Sequence, residues 1–135
     1  MTRVTNAVRN RVRERAKTRC EYCYLPDGII RLPHQVDHIL PPRHGGTDDE
    51  NNLSWACYYC NNSKGTDIGT VDFESNERVW LFDPRQDDWN AHFDMRENGL
   101  IIGKTISGRA TARLLLINNR EMVEIRRFLI EAGFW

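Results

Sequence analysis

Two CxxC pairs, Cys20/Cys23 and Cys57/Cys60, account for all four cysteines of this 135-residue chain, and 33 residues separate them. Each CxxC turn brings two thiolates within reach of one cation, and two such turns complete a tetrahedron. Disulfides are the rival use of the cysteines. The N-terminus, MTRVTNAVRNRVRERAKTR, lacks the apolar core of a secretory signal, which favours metal over oxidised pairs. The spacing therefore predicts a structural Zn2+ on Cys20, Cys23, Cys57 and Cys60. A cation enclosed by four thiolates has no open coordination position, so this one would hold the fold and do no chemistry.

Composition adds bounds. The chain is 40% hydrophobic and 28% charged, ordinary for a globular domain, and its length suits one. No run of about 18 apolar residues is present, so no membrane span is expected and a cytoplasmic location is the default. The net charge of zero conceals an asymmetry: residues 1–19 carry seven Lys or Arg against Glu14 alone, while residues 67–97 carry nine acids against three arginines. Local basic density suits a phosphate backbone, because each contact releases condensed counterions. A solvated helix face is the competing reading.

Val4, Val8 and Val12, with Ala7 and Ala16, recur at helical spacing and predict an amphipathic basic helix ending before the first CxxC. Pro26-Asp27-Gly28 reads as a turn, residues 29–32 as a short strand, and residues 34–40 as a second strand stopped by Pro41-Pro42. A loop, RHGGTDDENN, precedes a short apolar piece, Leu53 to Ala56. A helix is expected from the second CxxC to Gly65. Beyond it, residues 67–76 read as irregular, and strands are expected near 79–82 and 100–104. Two helices follow, one capped at Ser107 and one at Asn118 or Asn119.

Between the CxxC pairs the chain offers Asp37-His38 on a strand, Pro41, Gly45-Gly46 and Asn52-Leu53. The second pair is followed by Asn61 and by Lys64-Gly65. In this order the residues resemble the HNH endonuclease family, over roughly residues 20–65, with asparagine at 61 where the namesake pattern has histidine. LFDPR, WNAHF and GRATARLL in the tail are also similar to free-standing bacterial members.

The resemblance implies an α+β protein: a ββα-metal core stapled by the four-cysteine zinc site, a basic N-terminal helix and a small α+β C-terminal extension. Residues 1–66 would form the nuclease core and 67–135 the extension packed on it, one compact domain overall. The implied activity is metal-dependent hydrolysis of phosphodiester bonds in DNA. His38 would act as general base, since imidazole titrates near neutral pH. Asp37 and Asn61, a carboxylate and an amide oxygen, suit Mg2+ or Mn2+ at the scissile phosphate. Asn52 would hydrogen-bond the backbone across the loop and hold His38. Arg9, Arg13, Lys17, Arg43 and Lys64 are the expected nucleic-acid contacts.

Three readings stay beside these. Adjacent residues of a regular strand face opposite sides, so Asp37 and His38 both pointing inward requires a twisted or broken strand end. His34 reads as a half-exposed bystander on His38's strand face ahead of an aid to substrate or metal binding, and Trp55, Trp80, Trp89 and Trp135 as core or small-cluster residues rather than base-stacking platforms. The whole could also be a zinc-stapled nucleic-acid-binding module without catalysis, or a component of a phage or restriction system.

Overall fold

The computed structural model describes residues 4–135; Arg3, counted above in the basic segment, lies outside them. The chain divides into two compact units, residues up to 68 with 83–87, and 69–82 with 88–135. Among the described residues no helix is long and apolar enough to cross a membrane.

The first unit begins with helix α1, Asn6–Arg15, capped by the Thr5 hydroxyl, which accepts from Val8 N. Its apolar stripe is the one the valine spacing predicts: Val12 is fully buried against Leu53 and Trp55, with Val4, Val8, Ala16 and Val36 packed around them. Strand β1, Gln35–His38, pairs antiparallel with β2, Leu53–Ala56, in a register that sets Asp37 opposite Ser54 and His38 opposite Leu53. Helix α2, Tyr58–Lys64, follows directly, with Cys57 as its N-cap. Gly65 ends it at φ 52°, a conformation costly for any residue with a Cβ. The order β1–β2–α2 is the ββα arrangement.

Residues 29–32 form bends rather than a strand. Ile29 and Leu32 remain 44% and 41% exposed, so these apolar residues have no face to bury and no partner strand. Residues 83–87 close back on the first unit, where Arg85 pairs with Glu21 of the first CxxC turn.

The second unit holds two hairpins and two longer helices. Strand β3, Gly69–Val71, pairs with β4, Arg78–Trp80. The short helix α3, Trp89–His92, runs into β5, Phe93–Met95, which pairs with β6, Ile101–Gly103. Helix α4, Ile106–Leu114, is capped by Thr105 and not by Ser107, and α5, Arg120–Glu131, by Asn119. Strand β3 sits in the stretch that reads as irregular and β5 where no strand is expected, because three-residue strands are too short to display alternation. Gly108 sets α4 against α3: a side chain there would run into the His92 carbonyl. Trp80, expected in a core, is 72% exposed, because alternation along β4 turns Val79 inward and Trp80 out. Trp55 and Trp89 are buried.

Candidate nuclease site and metal centre

The four cysteines meet as their spacing requires. Their sulfurs all lie within 4.8 Å of one another, and all four residues are buried. Cys23 Sγ and Cys57 Sγ are 3.7 Å apart. A tetrahedron with metal–sulfur bonds of about 2.3 Å has edges of about 3.8 Å, so the sulfurs already stand where such a cation would hold them. Within each turn a backbone N–H points at the first sulfur, Cys23 N to Cys20 Sγ at 3.5 Å and Cys60 N to Cys57 Sγ at 3.4 Å. These donors stabilise thiolate charge. Hydrogen bonds from Cys20, Cys23 and Cys60 drive the Cys57 thiol far below its ordinary range, while Cys23 and Cys60 are pushed up by their neighbours and by burial. Four thiols so close cannot all ionise on their own, and a divalent cation removes that conflict.

The Asp37-His38 pair lies on β1 with its side chains on opposite faces, because the strand keeps regular pairing with β2 through residue 38. Asp37, 5% exposed, faces α2. Its Oδ2 accepts from Tyr22 Oη at 3.1 Å and from Ser54 Oγ at 3.5 Å, and Lys64 Nζ stands 3.2 Å from it. Burial pushes the Asp37 carboxyl up, and the Lys64 ammonium opposes that rise. His38 points the other way and is half-buried, with Nε2 2.7 Å from Asp48 Oδ1.

The loop between the strands is tied by Asn52. Its Oδ1 accepts from Leu40 N at 2.9 Å, and its Nδ2 donates to Leu40 O at 2.9 Å and Thr47 O at 2.8 Å. The Asn52 carbonyl accepts in turn from Ile39 N at 2.8 Å. Gly46 lies inside this knot, where a side chain would strike the Leu40 carbonyl. Gly45, at φ 91°, closes the preceding turn. The paired glycines thus have separate reasons, one conformational and one steric.

Asn61 sits on the face of α2 that meets β1, its Nδ2 3.5 Å from Gln35 Oε1. Gln35 and Asp37 share a strand face, and Asn61 and Lys64 are one helical turn apart, so the two oxygen donors expected for a cation lie on facing surfaces. A carboxylate and an amide oxygen match a hard divalent cation by donor type.

The expected nucleic-acid contacts fare differently. Lys64 is 2% exposed; its ammonium bonds Asp37, His38 O at 3.1 Å and Ile39 O at 3.3 Å, which leaves it no surface to offer a phosphate. Arg13 is forked onto Asp27 at 2.7 and 3.0 Å. Arg9 donates to His34 O at 3.2 Å and stacks over the Trp55 ring at 5.0 Å. Arg11 pairs with Glu50, and Arg15 bonds Glu50 O and Leu53 O. Much of the basic helix therefore serves the fold, because Asp27 and Glu50 return to it from distant loops. Lys17 and Arg43 are exposed and carry their charge to solvent. His34 corrects the reading of a half-exposed bystander: it is 1% exposed, and Nε2 lies 2.8 Å from Leu25 O.

Tyr22, Asp48 and Ser54 escaped notice in the sequence. Tyr22 was hidden inside a CxxC turn, and Asp48 was one of three consecutive acids, with nothing to distinguish the one that meets His38.

A sulfur-stapled ββα unit with an Asp-His pair on its first strand and an asparagine on its helix is a ββα-metal domain. Residues 20–67 match the model of the HNH endonuclease family, which supports a nuclease-type function for this segment and, in general terms, a nucleic-acid substrate. Searches of curated proteins and of solved structures found no match.

Proposed function

We propose that the first unit is a divalent-metal-dependent endonuclease that hydrolyses phosphodiester bonds in DNA, with His38 as the general base. The observation that carries this reading is the His38 imidazole, half-buried beside the loop and fixed through Nε2 to Asp48. With Nε2–H donating to that carboxylate, the Nδ1 lone pair is left to take a proton from water. Asp48 orients the ring and stabilises the imidazolium that forms, as a carboxylate does behind a catalytic histidine. Asn52 is a positioning residue: it locks the chain between residues 40 and 47, and its carbonyl fixes residue 39 next to His38.

Asp37 and Asn61 would hold Mg2+ or Mn2+, which when bound neutralises charge developing on the scissile phosphate and the leaving oxygen. Because Asp37 and His38 leave β1 on opposite faces, substrate would meet both at the strand's end, where pairing with β2 stops after residue 38. Asp37 shares its carboxylate with Lys64, so the ammonium sets the position of that ligand without touching substrate. Cys20, Cys23, Cys57 and Cys60 would hold Zn2+, and their service is to start α2 where Asn61 turns toward β1. Lys17 and Arg43, both exposed, are suited to the DNA backbone.

The test is incubation of zinc-loaded protein with supercoiled plasmid across Mg2+, Mn2+ and Ca2+. The reading expects nicked circles with Mg2+ or Mn2+. Retarded plasmid with no nicking under any metal would instead support a binding module without catalysis.

A further inference from the structure

An open cleft of about 430 Å³ lies on the α1 side of the first unit, walled by Arg9, Arg13 and Arg31 and floored by His34 and Trp55. Its charge is unbalanced. Arg13 is neutralised by Asp27, which lines the same cleft, whereas among the described residues neither Arg9, held by a backbone carbonyl and the Trp55 ring, nor the exposed Arg31 forms an ion pair. Two guanidinium charges therefore stay uncompensated around one concavity of a chain whose net charge is zero.

One of them is also pre-ordered. Arg9 is pinned between the Trp55 ring and His34 O, so little rotamer freedom is left to lose on binding. Its planar fork uses one Nη2 donor internally and keeps others for an anion. Guanidinium donors around one concavity favour an oxyanion over a cation or an apolar ligand.

The cleft also has a fixed relation to the nuclease strand. His34 leads straight into β1, and His38 stands four residues further on, about 13 Å at about 3.3 Å per residue. Val36, packed against α1, shares its strand face with His38.

We infer that the Arg9–Arg31 cleft is a second phosphate subsite, gripping the backbone of the nucleic-acid substrate away from the position cut. The inference rests on the nuclease reading for its choice of nucleic acid as ligand. Arg31→Gln is the variant to test, since that side chain is exposed and its loss leaves the packing intact. Arg127→Gln, an equal loss of charge on an exposed residue of the second unit, is the control.

Both changes are made in zinc-loaded His38→Ala protein, and binding to labelled duplex and single-stranded oligonucleotides is followed by anisotropy over a salt series. Arg31→Gln is expected to weaken binding about fivefold and to flatten the slope of log K against log salt by about 0.9, one phosphate contact. Arg127→Gln should do neither. Equal effects of the two variants, an unchanged salt slope for Arg31→Gln, or no binding of either oligonucleotide would overturn the subsite. The nuclease reading fails separately: if Arg31→Gln behaves as expected but native protein nicks no plasmid with any metal, the cleft stands and the catalysis falls.

Discussion

Lys64 decides more about the site than its place beside a glycine suggests. A buried carboxylate and a buried ammonium are each expensive alone; here they pair, and the ammonium also donates to the carbonyls of His38 and Ile39. Lys64→Met is therefore expected to destabilise the zinc-loaded protein by about 3–5 kcal/mol, the cost of leaving a buried charge unpaired. Adding Asp37→Asn should recover part of that loss. Urea unfolding of the two single variants and the double variant measures it; simple additivity would mean that the pair is not coupled. Asn52 makes a kinetic prediction at the same scale. Asn52→Ala should lower kcat for plasmid nicking about 10²-fold while zinc content stays unchanged, because small misplacements of a base carry penalties of that size. A variant that loses affinity and keeps kcat would assign Asn52 to substrate instead.

At the scale of elements, what the sequence displayed depended on length and locality. Helix α1 was legible because Val8 and Val12, with Val4 just before it, repeat at helical spacing, and α2 because Cys57 and Gly65 mark its ends. Strands β3 and β5 were not, since three residues carry no period. The partners of α1's arginines were hidden too, because Asp27 and Glu50 are distant in sequence and charge counting sees only neighbours. The candidate site was legible as residue types in order, but the side each faces came only with strand register, as with Asp37 and His38 on opposite faces.

Two predictions belong to elements of the second unit. Gly108→Ala should cost about 1–3 kcal/mol, because its methyl meets the His92 carbonyl across the α3–α4 packing. Asp72, buried after β3, is held well below the usual carboxylate range, first by Arg109 and then by Ser75. A depressed carboxyl contributes stability above the unfolded pKa of about 3.9 and loses it as pH falls through the folded value. Asp72→Asn should accordingly lower the melting temperature at pH 7, and the gap from the native chain should close as pH drops below about 4. A gap that widened on acidification would contradict the pairing.

At the scale of the molecule, the proposed function divides labour in the first unit between sulfur and oxygen. The four-thiolate centre ties the first turn of the domain to the start of α2, and the oxygen donors of β1 and α2 stand on the surfaces so joined. Binding free energy at such a centre is folding free energy, about 10–16 kcal/mol for structural zinc in small domains. Cys57→Ser should therefore reduce bound zinc from one equivalent towards none and unfold the first unit, read by metal analysis and hydrogen exchange of residues 35–64.

The central claim is that hydrolysis depends on His38 as base within an intact, zinc-loaded fold. Its most direct measurement is the rate of plasmid nicking with Mg2+ or Mn2+ by native protein and by His38→Ala, at equal zinc content and equal melting temperature. A fall of about 10²–10⁴-fold in the variant, the usual contribution of a general base, is the predicted result. Equal rates in the two proteins would contradict it.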